Sequence, residues 1–367
     1  MKILFLIHSL RRGGAERVVL SQADELTKRG HDVHIISWVD NDEYKDEYIQ
    51  VSRTHILSQG DYRWIKSLIP SSKVLKKRIQ DFHPDIIQIH SPSVLWLTGM
   101  IKTKIPCIYV LHGYGSIDSQ ISIKGLVRRL LSNYFAKIMN LHFVTVSSSM
   151  ILPASNYFCS SPKNFLPISN GINLEEFPLI HSTQLLDSGM SPIILMIGTL
   201  THNKGQGLGI EAFKILLKQF PEAKLLILGE GEDRPILAAK IKALDLSVSV
   251  QLLGLQSNIQ SFLSKSTVLW QLSQSEAMPM TVLEAMSSGV PVVGFDVQGI
   301  NDVVVHDKTG FLVPHGDINQ IAKKTAEILQ SRSLQSKLAL QSRESVRSYF
   351  TTEQMVDSYE EYMKTIL

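Results

Sequence analysis

Cysteine is nearly absent from this chain. Two in 367 residues, Cys107 and Cys159, are too few for a disulfide framework or a thiolate metal cluster, and both read as small apolar packing residues. Charge is sparse too: 19% of residues are charged against 44% hydrophobic, which excludes a disordered polyelectrolyte. No apolar run approaches the ~18 residues that a membrane-crossing helix requires. The apolar stretch Ile3 to Ile7 gives way at once to Arg11 and Arg12, so no cleavable leader is expected and the expected compartment is the cytoplasm. The net charge of +3 carries no nucleic-acid footprint. It is unevenly spread, with 21 Lys and Arg against 15 Asp and Glu in residues 1–180 and 16 against 19 in the remainder. A basic first half suits a phosphorylated substrate or an anionic membrane surface.

What is present in quantity is the alternation of apolar, β-branched runs with helical patterns. Ile3 to Ile7, Val33 to Ser37, Ile86 to Ile89, Cys107 to Leu111 and Phe143 to Val146 read as strands of the first half. Ile193 to Ile197, Lys224 to Leu228, Val248 to Leu252, Val268 to Leu272 and Val290 to Gly294 repeat the grammar in the second. Continuous apolar strands separated by helices predict parallel sheets covered on both faces. The fold class is therefore α/β, with two doubly wound, Rossmann-like domains in tandem. Their expected extents are 1–180 and 190–350, with a terminal helix at 352–367 joining the first. The boundary is expected near Asn170 to Asn173 and in the polar stretch Ile180 to Ser191, with ligands in a cleft between the domains.

Three segments could carry chemistry. Arg12-Gly13-Gly14-Ala15-Glu16 follows the first strand and enters a helix, a place where backbone N–H groups can approach an anion, although the same glycines would make a tight turn. Gly229-Glu230-Gly231 follows a second-half strand and permits close approach of a nucleotide or merely a turn. The third is Glu276-Ala277-Met278-Pro279-Met280-Thr281 running on to Glu284. Pro279 suits the first turn of a helix, so the amides of Met278 to Thr281 are expected at an exposed N-terminus flanked by two carboxylates. Such an arrangement can grip hydroxyls and a phosphate together, or be a capped helix with a surface Glu.

At this point the chain resembles a known family. Glu276 and Glu284, with Leu283-Glu284-Ala285-Met286-Ser287-Ser288-Gly289-Val290-Pro291, resemble the E-x7-E motif of the retaining glycosyltransferases of family four (GT-B fold, glycosyl transferases group 1). Gly13 to Arg17, Pro84 to His90, His112-Gly113, Asn170 to Asn173, Lys204-Gly205, Gly229 to Gly231 and Gly310 to Val313 fall in the matching order, nearly end to end. The resemblance implies that Glu276 holds donor-sugar hydroxyls, Glu284 the ribose hydroxyls and Lys204 the diphosphate. It implies that the backbone of Gly14 reaches the donor phosphate and that His112 hydrogen-bonds the transferred sugar. The family has an arginine where this chain has Thr199, a second cation on the diphosphate; Arg234, His202 or Arg12 are the residues that could replace it. Gln298 and Asp302 are smaller departures.

Asp40-Asn41-Asp42 matches the D-x-D of metal-dependent transferases, but it lies among Glu43, Asp46 and Glu47 as a solvated acidic loop, and no metal or other cofactor is expected. Two basic segments, Lys73 to Ile79 and Lys124 to Leu131, are amphipathic and could lie on anionic lipid or simply face solvent. The expected function is a metal-independent hexosyl or glycosyl transfer, with the retention that the resemblance implies. Its partners are a UDP- or GDP-linked sugar and a sugar or lipid-linked acceptor, in polysaccharide, lipopolysaccharide or glycolipid synthesis at or near the membrane. An epimerase or phosphorylase on the same architecture, or a sugar-nucleotide binder weakened at Thr199, are the alternatives.

Overall fold

The computed structural model describes residues 1–57, 64–113, 123–179 and 191–367. They divide into two units, Met1–Gly171 with Thr352–Leu367, and Ile172–Thr351. The division falls earlier than residue 180, and hydrogen bonding explains why. Ile172 N donates to Phe350 O, Glu176 O accepts from Gln260, and Phe177 O accepts from Arg343, all partners in the second unit. Of the polar stretch Ile180 to Ser191, residues 180–190 lie outside the described residues.

The first unit is built on seven parallel strands: β1 (Lys2–Ile7), β2 (Asp32–Val39), β3 (Ser52–Leu57), β4 (Ile86–Ile89), β5 (Cys107–Leu111), β6 (His142–Thr145) and β7 (Phe165–Pro167). Their order is β3-β2-β1-β4-β5-β6-β7. The order in which strands are added switches sides between β1 and β4, which pair in parallel from Ile3↔Ile86 to Leu6↔Ile89. Strands β1, β4 and β5 are buried on both faces, which is why they read as unbroken apolar runs. Helices α1 (Gly14–Lys28), α2 (Trp64–Phe82), α3 (Pro92–Ile101), α4 (Ile123–Ile138) and α5 (Ile151–Tyr157) connect them. The indole N–H groups of Trp38 and Trp96 are satisfied inside by Ser71 Oγ at 2.8 Å and Ser132 Oγ at 3.0 Å.

The second unit has six parallel strands: β8 (Ile193–Ile197), β9 (Lys224–Leu228), β10 (Val250–Gly254), β11 (Val268–Gln271), β12 (Val292–Phe295) and β13 (Gly310–Val313). The order β10-β9-β8-β11-β12-β13 reverses between β8 and β11. Its helices are α6 (Gln206–Leu216), α7 (Arg234–Ala243), α8 (Ile259–Leu263), α9 (Met280–Ser288), α10 (Ile318–Gln330) and α11 (Arg332–Tyr349). Leu225, Ile227, Trp270, Val293, Phe213 and Ile321 form one core, with Trp270 Nε1 donating to Thr325 Oγ1 at 2.8 Å.

The last helix, α12 (Thr352–Ile366), returns to the first unit. Arg29 pairs with Asp357 at 2.6 Å and Glu360 at 2.8 Å, while His31 Nε2 meets Glu360 at 2.6 Å. Hydrogen bonds from these two partners hold the Glu360 carboxyl below its usual range despite the opposing effect of burial.

Candidate active site

In open parallel sheets, ligands gather at the carboxyl ends of strands where the order reverses. In the second unit that place is the pair of loops after β8 and β11. The loop after β8 makes a short 3-10 turn, His202–Lys204, and then Gly205 at φ 70° before α6 begins. A Cβ on Gly205 would collide with the carbonyl oxygen of Leu272, so only glycine lets Lys204 reach the end of β11. The two loops are tied by Gln274 N donating to Asn203 O at 2.8 Å and Asn203 Nδ2 to Ser275 O at 3.2 Å.

The outcome is a carboxylate held by three donors on one oxygen. Glu276 Oε1 accepts from Lys204 Nζ at 2.6 Å, Ser273 Oγ at 2.6 Å and Gln271 Nε2 at 2.9 Å. Gln271 is itself oriented by Thr281 Oγ1, which donates to its Oε1 at 3.0 Å. Oε2 of Glu276 has no donor among the described residues and remains able to accept a hydroxyl. Behind the carboxylate, Glu276 N donates to Gln298 O at 3.2 Å, and Gly299 at φ 84° leaves no room for a side chain against Glu276 O. Asp302 Oδ2 accepts from Gly299 N at 3.2 Å, so Gln298 and Asp302 serve to shape this wall.

Pro279 stands at the cap of α9 in an extended conformation, one residue before the helix instead of in its first turn. Val282 and Leu283 amides already bond back to Pro279 O, leaving Met280 and Thr281 amides as the donors of that helix end. Met278 and Met280 are buried, and Glu284 is buried in the second turn of α9. Lys204, Glu276 and Thr281 are therefore brought into one hydrogen-bonded chain, while Glu284 does not join it through any of these bonds.

Thr199 is exposed, and its carbonyl accepts from Gln206 Nε2 at 3.1 Å. Of its candidate substitutes, Arg234 is engaged by Glu230 at 2.9 Å and Leu252 O at 3.1 Å, and Arg12 by Glu47 at 2.7 Å; His202 is exposed. Gly229, at φ 133°, has the Gly198 carbonyl where a Cβ would stand, and Gly231 has Leu200 there. These glycines let the loops after β8 and β9 pack backbone to backbone, a packing reason that accounts for the G-x-G without a ligand.

The first unit presents the corresponding reversal at the ends of β1 and β4. Gly14 opens α1 and is exposed. Gly13 is clasped by Tyr44, whose hydroxyl lies 3.2 Å from Gly13 N and 3.3 Å from Gly13 O. Glu16 folds back so that its carboxylate occupies the space a Gly13 side chain would fill. Burial raises its pKa while a hydrogen bond to its own amide lowers it. This helix start therefore carries one of the protein's own carboxylates beside Gly13.

His112 follows β5, and the structure adds a neighbour to which the sequence reading gave no role. His90, which follows β4, places Nδ1 2.9 Å from His112 Nε2, with the rings stacked at 5.2 Å. Burial pushes the His112 imidazole down to about 4 and His90 well below its ordinary value, so both are neutral near pH 7. The signal for His90 was available, because Ile86 to Ile89 followed by His repeats the strand-then-His pattern of Cys107 to His112. Gln271 and Ser273 carried no such signal, since their roles arise only from the loop's return past the end of β11. In the D-x-D segment, Asp42 accepts from Tyr44 N at 2.9 Å and pairs with Arg53, and Asp40 lies 3.6 Å from His55. Among the described residues no group of three or more His, Cys, Asp or Glu could hold a metal ion.

Two family models match the chain: Glycosyltransferase Family 4 over residues 12–176 and Glycosyl transferases group 1 over residues 181–345. N-acetyl-alpha-D-glucosaminyl L-malate synthase of Bacillus anthracis is 25% identical over 361 residues, 95% of this chain and 93% of that one. The Escherichia coli UDP-Gal:alpha-D-GlcNAc-diphosphoundecaprenol alpha-1,3-galactosyltransferase is 25% identical over 338 residues, 88% and 86% of the two chains. The structure of Anabaena Alr3699/HepE in complex with UDP-glucose covers 100% of both chains with a TM-score of 0.84 at 19% identity, a likeness of fold.

Proposed function

The chain belongs to glycosyltransferase family 4, with the GT-B fold of the group 1 enzymes, and on that premise we propose that it transfers a sugar from a nucleotide-diphosphate donor to an acceptor hydroxyl with retention. The donor is a UDP- or GDP-linked sugar and the acceptor a sugar or lipid-linked glycan, in the synthesis of a cell-surface polysaccharide, lipopolysaccharide or glycolipid on the cytoplasmic side. The relatives that carry UDP-glucose or act on a diphosphoundecaprenol acceptor support this reading. The observation that carries it is the Lys204–Glu276 pair at the β8/β11 reversal, with one carboxylate oxygen saturated by protein and the other open.

In this reading Oε2 of Glu276 accepts hydroxyls of the donor sugar, and Lys204 with the Met280 and Thr281 amides balances the diphosphate. Glu284 faces the ribose, and Thr199 and Gly229 border the same loops; His112 holds the transferred sugar from the first unit, and the Gly14 backbone the phosphate. The bond from the anomeric carbon to the phosphate oxygen breaks with its electron pair on the phosphate. The acceptor oxygen bonds to that carbon from the same face, and its proton passes to the leaving phosphate. Lys204 and the amides take over the charge that a divalent cation carries in metal-dependent enzymes, so the reaction needs no metal or other cofactor.

The uncharged, exposed Thr199 beside these loops favours one second reading: a binder of sugar nucleotides with little turnover. One experiment separates the two. The protein is incubated with a panel of UDP- and GDP-sugars and soluble acceptor glycans, and proton NMR follows the anomeric signal. Transfer with the donor's anomeric configuration, lost by at least about 100-fold in Glu276→Gln, is expected. Donor-induced thermal stabilisation without transfer, with turnover appearing in Thr199→Arg, would establish the binder. Unchanged transfer in Glu276→Gln would refute the site.

A further inference from the structure

Helix α4 is inside out. Its small residues Gly125, Ser132 and Ala136 are buried, and Trp96 Nε1 of α3 donates to Ser132 Oγ at 3.0 Å. Its large apolar residues point away from the unit: Leu126 is 53% exposed, Leu130 61% and Tyr134 57%, with Val127, Leu131 and Ile138 exposed beside them. At about 100° per residue these six occupy one arc of about 140°. Surface apolar residues are ordinary when scattered, whereas a contiguous stripe along four turns marks a docking surface.

The charge around the stripe says what docks there. Between Ser119 and Leu174 the sequence contains no Asp or Glu, while Lys124, Arg128, Arg129, Lys137 and Lys163 are cationic. Lys137 is exposed within the apolar arc and Arg128 flanks it. Arg129 is turned away to the carbonyls of Asn156 and Tyr157, so the cations here are not all surface cations. Helix α2, equally basic, is different: Leu75 and Ile79 face the core and its lysines face outward, the arrangement of an ordinary covering helix. We propose that the outer face of α4 docks on an anionic lipid surface. Leu126, Leu130 and Tyr134 enter the headgroup boundary, and Lys137 and Arg128 meet the lipid phosphates. This inference stands on the surface of one helix, and transfer to a soluble acceptor would survive its failure.

The test is co-sedimentation of the whole protein with phosphatidylcholine vesicles, with and without about one-third phosphatidylglycerol. Binding to the anionic vesicles is expected, weakened about tenfold or more in Leu126→Gln/Leu130→Gln and also in Tyr134→Ser on the next turn. Lys137→Glu should weaken binding to anionic vesicles alone. All positions are exposed, and an unchanged far-ultraviolet circular dichroism spectrum and unchanged soluble transfer confirm folded variants. Absence of wild-type vesicle binding overturns the proposal, as does wild-type partition of the leucine variant. Sedimentation velocity showing a dimer that the leucine variant dissolves, without vesicle binding, would assign the face to a second copy instead.

Discussion

Removing the ammonium of Lys204 while keeping its stem tests the core of the site. Lys204→Met preserves the aliphatic run that lies 3.7 Å from where a Gly198 Cβ would be, but leaves Glu276 with two neutral donors. The Glu276 side chain is only 11% exposed and that of Lys204 28%, so the pair is partly screened by solvent. A hydrogen bond between charged groups contributes about 1.5–3 kcal/mol, and screening places the expectation near the lower figure. Urea unfolding of wild type, Lys204→Met, Glu276→Gln and the double variant should give a coupling of about 1–1.5 kcal/mol, the double variant losing less than the sum. If Lys204 has the diphosphate role proposed above, Lys204→Met alone should lower kcat/KM in the transfer assay about 10- to 100-fold. Additivity within about 0.5 kcal/mol would show that the 2.6 Å contact carries no energy, and the assignment of Lys204 would fall with it.

Acid should destabilise the first unit through its paired histidines. With His112 at about 4 when folded and about 6.5 when unfolded, the unfolded chain binds the extra proton, so stability present above pH 6.5 is lost as pH falls towards 4. Urea unfolding at pH 7 and 4.5 should show about 2 kcal/mol less acid sensitivity in His112→Gln than in wild type; equal sensitivity would contradict a buried neutral imidazole. Gly205→Ala should cost about 2–4 kcal/mol, combining positive φ with collision against Leu272 O. Gly30→Ala, with positive φ but open space, should cost about 1 kcal/mol, and equal melting temperatures for the two variants would refute the steric argument.

The buried strands were legible because both their faces are covered. Ile193 to Ile197 and Lys224 to Leu228 coincide with β8 and β9 to the residue. The edges were not. Strand β3, Ser-Arg-Thr-His-Ile-Leu, is half exposed and has no apolar run to read, and β7 is three residues long. Helix α2 extends back through Pro70, which reads as a break but is exposed, so the carbonyl that loses its donor can turn to water. Helix α11 is so polar on its outer side that the sequence hides its helical period. At the site, the order of motifs pointed to Glu276 and Lys204, whereas the clasp by Gln271 and Ser273 depends on loop return that no local pattern encodes. The stripe on α4 was visible as amphipathic, but only packing tells which way it faces.

Because α12 belongs with residues 1–171, the second unit of 180 residues is threaded into the first as an insertion. At about 5–20 residues per second of synthesis, the ribosome holds the partner of Arg29 and His31 back for roughly ten to forty seconds after the sheet it must brace has emerged. During that interval one flank of α1 waits without its cover. Losing this helix should therefore harm not the loops after β8 and β11 but the unit of residues 1–171, which is made before its brace and finished after it.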